Sequence, residues 1–186
     1  MLALQWTQRL LTVCGAAMLG YAGFVLGDSS LFQRRAGVEF ERMLREEPRQ
    51  PEVWIGPDGL IGRIEIPRIG LSAVVFEGTG GATLERSVGH VPGTALPGQP
   101  GNAGLAGHRD SFFRPLKDIR RDDMITVATL RGEYRYRVVS TRIVRPADVW
   151  VLSPTEAETL TLVTCHPFNF VGGAPDRFVV RAARVI

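Results

Sequence analysis

The chain has 186 residues, 45% hydrophobic and 22% charged, a composition that suits one globular domain with appendages. Its formal charge of +3 and pI near 9.3 come almost wholly from arginines scattered along the chain, with Lys117 the only lysine. There is no clustered basic patch with interleaved stacking aromatics, so a nucleic-acid partner is not expected.

After a short tail, residues 1–9, the run Leu10–Gly27 (LLTVCGAAMLGYAGFVLG) holds no charge over eighteen residues. That is the lower edge of what spans a bilayer as a helix. Arg9 and Asp28 flank it, and no clean small-x-small cleavage site precedes Asp28. An uncleaved signal anchor is the expectation. The alternative is a cleaved signal peptide, for which Ala16, Ala17, Gly20, Ala22 and Gly23 offer small residues. Charge does not orient the span, because Arg9 precedes it and Arg34 and Arg35 follow soon after. Residues 28–59 read as a stalk holding the domain off the membrane. Leu31 to Glu47 is predicted helical, with apolar Leu31, Val38, Phe40, Met43 and Leu44 among charges, and Pro48, Pro51, Gly56, Pro57 and Gly59 form a breaker-rich linker.

From about Leu60 to the C-terminus the texture is β. Short runs at Gly62–Pro67, Leu71–Phe76, Met124–Leu130, Glu133–Val144, Thr159–Cys165 and Arg177–Val185 are separated by turn residues, with Arg131-Gly132 as a hairpin turn. Helical turns are predicted at Thr83–Arg86, at Ser111–Asp118 behind a capping Asp110, and at Pro154–Ala157. The spacing predicts an all-β barrel or sandwich over residues 60–186, with small helices in the crossovers.

Two cysteines are present. Cys14 lies in the apolar run and Cys165 near the C-terminus, so they pair only if the first helix folds back on the domain. Outside the cytoplasm an unpaired Cys165 is either a thiol kept for chemistry or a buried, inert side chain. The run Thr161–Cys165 (TLVTC) delivers the cysteine at a strand end, and Arg177 opens the next strand after a ten-residue segment. If these strands are antiparallel neighbours, Arg177 starts where Cys165 ends, within reach of a thiolate or an oxyanion. The other reading of Arg177 is a solvent-facing rim residue. A cysteine nucleophile needs an imidazole to carry a proton to the leaving group. Of the three histidines, His108 ranks first because it ends the small-residue run GNAGLAGHRD. His90, in what reads as a turn, comes second. His166 comes third, because adjacent strand residues point to opposite faces.

Taken together, TLVTC, the arginine twelve positions later and GNAGLAGHRDSFFRPL resemble the sortases, cysteine transpeptidases that attach proteins to bacterial cell walls. AGHRDSFFRPL, TLVTCHPF and APDRFVVRA are most similar to the class D branch, over roughly Gly62 to the C-terminus. The resemblance implies a closed eight-stranded β-barrel, with His108 as general acid/base, Cys165 as nucleophile and Arg177 as stabiliser of the oxyanion or substrate. It implies cleavage of a sorting signal similar to Leu-Pro-X-Thr-Gly on secreted surface proteins, through a thioacyl enzyme. The acyl group then passes to an amine acceptor, a cell-wall peptide or a pilin lysine. It also implies an inside-N, outside-C, single-pass orientation and no cofactor. His90, within GHVPGTALPG, Thr164 and His166 are expected to line the substrate groove. His166 departs from the class, whose members usually carry an aromatic such as Tyr there.

Three other readings fit the sequence less well. L,D-transpeptidases place Arg almost beside Cys, in a run similar to Ser-His-Gly-Cys-Ile-Arg, whereas Arg177 is twelve positions away. A zinc site from Cys165, His166 and His108 would have three ligands at most and no C-x-x-C pair, so no metal is expected. The third is a non-catalytic, membrane-tethered β-barrel that binds peptide without cleaving it, against which the presence of all three triad residues argues.

Overall fold

Strands form where β-branched and aromatic residues recur between turn residues, and eight of them close on themselves. A computed structural model describes residues 2–46, 54–169 and 172–185. The strands are β1 (Leu60–Ile66), β2 (Leu71–Glu77), β3 (Val88–His90), β4 (Asn102–Ala106), β5 (Met124–Thr129), β6 (Gly132–Val144), β7 (Thr159–His166) and β8 (Asp176–Val185). They form a closed barrel in the order β1-β2-β3-β4-β7-β8-β6-β5, as the resemblance implies. The β2–β3 and β4–β7 pairs are parallel and the others antiparallel. Parallel neighbours need crossovers, and these carry the small helices: α2 (Gly81–Arg86) and 3-10 turns at Arg114–Asp118 and Val149–Leu152.

The barrel interior is filled by Ile64, Ile66, Val75, Leu105, Val127, Val138, Leu160, Leu162, Val180 and Ala182, with Phe113 and Leu116 joining the same cluster. Tyr136 is the largest fully buried side chain among the described residues. Its hydroxyl donates to Glu158 at 2.7 Å and accepts from the Gly98 amide at 3.0 Å, so the buried oxygen is satisfied.

Several expectations change. Two strands went unrecognised: β3, where His90 reads as a turn, and β4, where the glycines and alanines of NAGLA carry little β signal. The helical turn expected at Pro154–Ala157 lies earlier, at Val149–Leu152, and ends at Ser153, which is held extended (φ −56°, ψ 148°) ahead of Pro154. The turn predicted over Ser111–Asp118 is helical only from Arg114, and Asp110 does not cap it.

The largest difference is at the N-terminus. The expected span and the helical first part of the stalk are one unbroken helix, α1 (Leu2–Glu46), whose N-terminal part is apolar and long enough to cross a membrane. Leu10, Leu11, Val13, Met18, Leu19 and Tyr21 there are exposed, covered by none of the other described residues. The second half is no free stalk. Phe32, Ala36, Phe40 and Met43 recur along one face and pack on Leu60, Val74, Phe76, Ala128 and Leu130 of the barrel. Phe40 is 1% exposed. Arg63 reaches up from β1 to Glu41 at 3.1 Å and to the Gly37 carbonyl at 3.4 Å. Glu47, the end of the predicted helix, and Pro48 and Pro51 of the expected linker lie outside the described residues.

Candidate active site

Strands β7 and β8 are antiparallel, and their register sets Cys165 directly opposite Arg177. Alternation along the pair sends Leu160, Leu162, Val180 and Ala182 into the core, so Cys165 and Arg177 share the outer face. Directly opposed residues stand about 5 Å apart at Cβ. The Arg177 guanidinium donates through Nη1 to the carbonyls of Ala174, at 3.3 Å, and Asp176, at 3.0 Å. A guanidinium has further donors at Nε and Nη2.

On the other side of β7 runs β4, parallel, with its last pair at Ala106↔Val163. Two bonds continue that register past the strand end. The Gly107 amide donates to the Val163 carbonyl at 3.2 Å, and Thr164 Oγ1 donates to the Gly107 carbonyl at 2.8 Å. His108, the next residue, therefore comes level with Cys165 on the neighbouring segment. Its carbonyl accepts the Phe113 amide at 3.1 Å, which turns the chain back into the barrel end. Position 107 has to be glycine, because a Cβ there would stand 2.9 Å from the Phe113 ring. His108, Cys165 and Arg177 thus come from three adjacent chain segments at one end of the barrel.

The far half of this outer face is covered by the connection between β6 and β7. Asn102 holds it there, with Nδ2 donating to the carbonyls of Val151 (3.0 Å) and Ser153 (3.1 Å) while Oδ1 accepts from Thr161 at 2.7 Å. Gly104 leaves room for Leu152, whose Cδ2 would lie 2.8 Å from a Cβ at that position. The half bearing Ala106, Val163 and Cys165 stays partly exposed. Residues 64–185 match the family model described as the Sortase domain. The chain belongs to the sortase family.

Among curated proteins it is 37% identical over 125 residues to Sortase D of Bacillus subtilis, a match covering 67% of this chain and 63% of that relative. The chain thus spans just under two thirds of the length of that relative. Among solved structures it is similar to a Clostridium perfringens Sortase D5 transpeptidase, with a TM-score of 0.72 and 29% identity over 83% of this chain and 98% of that one. Listeria monocytogenes sortase A aligns with a TM-score of 0.64 and 27% identity, covering 69% and 89%.

Within the sortase barrel the three residues expected to line the groove fall elsewhere. His90 is 2% exposed. Its Nδ1 lies 2.7 Å from Glu77 Oε2, and its Nε2 lies 2.9 Å from the Ala95 carbonyl and 3.0 Å from Thr94 Oγ1. With both nitrogens engaged, it braces the β3–β4 loop rather than facing the groove mouth. Thr164 is buried and faces inward, its hydroxyl spent on Gly107. His166 follows the strand alternation to the face opposite Cys165. Its ring lies 6.3 Å from Phe178 and 5.9 Å from Phe168, and its Nδ1 is buried without a hydrogen-bond partner.

The residues that sequence reasoning missed are supports. Asn102 and Gly104 seat the β6–β7 connection, and Arg109 donates from Nη2 to the Gly172 carbonyl at 2.9 Å, linking the His108 loop to the segment before Arg177. The glycines of GNAGLAG, Gly101, Gly104 and Gly107, were the available signal, since a glycine within a strand marks close approach of another segment.

Proposed function

We propose that this member of the sortase family is a cysteine transpeptidase acting on a sorting signal similar to Leu-Pro-X-Thr-Gly, with Cys165, His108 and Arg177 as its catalytic residues. The observation that carries the reading is the Cys165↔Arg177 cross-strand pair, with His108 level with it on the β4 side. The Cys165 thiolate attacks the carbonyl of the scissile peptide bond, forming a C–S bond and an oxyanion. The planar fork of Arg177 donates to that oxyanion or to the substrate carbonyl beside it. His108 gives its proton to the departing amine as the C–N bond breaks, leaving a thioester on Cys165. An amine acceptor, from a cell-wall peptide or a pilin lysine, then attacks the thioester, His108 takes its proton, and Cys165 leaves as thiolate. In this reading the apolar half of α1 is a single-pass anchor with its N-terminus inside, and the barrel is extracytoplasmic.

An acid quench during turnover, followed by intact-mass measurement, is expected to show an adduct equal to the N-terminal substrate fragment, released by neutral hydroxylamine as a hydroxamate. Cys165→Ala is expected to abolish the adduct and His108→Ala nearly so. Cleavage without an adduct, or an adduct surviving Cys165→Ala, overturns the covalent mechanism. Peptide binding without cleavage would instead leave a binding module. For the anchor, the full-length chain is expected to resist carbonate extraction and to expose its barrel to protease added outside. A soluble product beginning near Asp28 would mean a cleaved signal peptide.

A further inference from the structure

The helix that carries the apolar span also lies against the barrel, so it relates the barrel to the bilayer. Leu10–Gly27 rises about 27 Å as a helix, against a hydrocarbon core of about 30 Å, so Asp28 stands at its outer edge. Asp28 is ion-paired with Arg86, at the end of α2, at 3.0 Å. One turn later Gln33 Nε2 donates to the Arg86 carbonyl at 2.6 Å, and Phe32 packs on Phe76 of β2 with ring centroids 5.3 Å apart. Further along, Gly37, Phe40 and Glu41 meet Arg63 on β1, and Met43 packs in the cluster with Leu130 beyond β5. α1 therefore crosses the barrel from the α2–β2 side towards β5. Followed back towards the membrane, it leaves over α2, on the flank that continues round the barrel as β3, β4 and then β7.

That flank differs in charge from the opposite one. Residues 87–107, from the end of α2 through β3, the β3–β4 loop and β4, contain no Asp, Glu, Lys or Arg; β3 and most of β4 are buried, so the surface here is the loop, where Pro92, Gly93 and Pro100 are exposed. The opposite flank carries Arg120, Arg121, Asp122, Arg131, Glu133, Arg135 and Arg137. Seating a surface among lipid headgroups strips water from it, which costs least where no ionised group has to be buried; α2 brings only Glu85 and Arg86, and Arg86 keeps Asp28 as its partner.

We infer that α2 and the uncharged β3–β4 flank rest on the outer surface of the bilayer, held there by the Asp28–Arg86 pair and the docked half of α1. This rests on the reading of residues 10–27 as a membrane anchor. It makes the lipid surface a partner of the folded domain as well as of the span. The segment carrying His108 leaves β4 on this flank and Cys165 is on the next strand, so the site opens beside the lipid surface.

The test uses the full-length chain carrying Cys14→Ser and Cys165→Ala, in nanodiscs of phosphatidylcholine and phosphatidylglycerol. Single cysteines for an environment-sensitive fluorophore are placed by Leu19→Cys in the span, Ala82→Cys on α2, Pro100→Cys in the β3–β4 loop and Glu133→Cys on the far flank. Lipids with a nitroxide on the headgroup are expected to quench the probes at 82 and 100 several-fold more than the probe at 133. Lipids with a nitroxide on the acyl chain are expected to quench the probe at 19. Adding Arg86→Ala is expected to weaken quenching at 82 and 100 while leaving that at 19 unchanged. Equal quenching on the two flanks, or stronger quenching at 133, with position 19 still quenched, overturns the orientation alone. Loss of quenching at 19 means that the segment does not span, and removes the anchor reading together with the orientation.

Discussion

Thr164 and Cys165 are neighbours in sequence with opposite environments. Thr164 is turned into the barrel to hold Gly107, and Cys165 is turned out to face Arg177. The same separation of roles applies to the histidines and can be measured. His90→Ala strips partners from Glu77, Thr94 and Ala95 and is expected to destabilise the fold by about 1–3 kcal/mol, with little change in kcat for the molecules that remain folded. His108→Ala is expected to do the reverse, leaving the urea midpoint nearly unchanged while activity is lost. Arg177→Lys keeps the charge but loses the planar fork. If Arg177 stabilises the oxyanion, kcat is expected to fall about a hundredfold or more, with Cys165 still alkylated by iodoacetamide. Wild-type kcat in that variant would return Arg177 to the barrel rim.

Two elements pack on the outside of the barrel, and the seating of each can be tested at one well-buried side chain. The β6–β7 connection is held through Asn102, buried and using both ends of its amide. Asn102→Ala is expected to cost about 1–3 kcal/mol and to raise KM more than it lowers kcat, because the covering segment loosens while Cys165, His108 and Arg177 keep their own strands. The docked half of α1 buries one ring fully, Phe40, against Leu60 and Val74 of β1 and β2. Truncating a buried Phe costs about 3–5 kcal/mol in a core. At this seam Phe40→Ala is expected to free the helix rather than unfold the barrel. Limited proteolysis within residues 28–46 should accelerate, while the urea transition of the barrel stays in place.

Across the whole molecule, closure of the barrel ties together residues far apart in the chain. Arg68, in the turn after β1, makes a two-pronged contact with Asp123 at the entrance to β5, its Nη2 donating to Oδ2 at 2.6 Å, and the Arg120 amide donates to the same oxygen at 2.7 Å. These donors, Arg68 first, hold the Asp123 carboxyl below its ordinary range. A carboxylate depressed on folding contributes stability above its unfolded pKa, near 3.9, and that stability is lost as pH falls through the folded value. Arg68→Ala should therefore be less stable than the parent at neutral pH, with the gap in urea midpoint narrowing below about pH 4. A constant gap down to low pH would show that Arg68 acts through packing instead.

The sequence by itself determined the β class of residues 60–186, six of the eight strands within a few residues, the apolar span, and a resemblance specific enough to single out His108, Cys165 and Arg177. Those features are local: alternation, turn residues and short motifs survive being read in one dimension. What only the tertiary structure decided depends on pairings between distant segments. β3 and β4 are strands because their neighbours complete their hydrogen bonds, not because VGH or NAGLA prefers to be extended. His90 and Thr164 left the groove because strand alternation and burial turned them inward, and neither is visible until the register is set. The stalk became a docked helix because Phe32, Phe40 and Met43 found Leu60, Val74 and Leu130, an apolar patch assembled by the closed barrel and present in no single stretch of the chain.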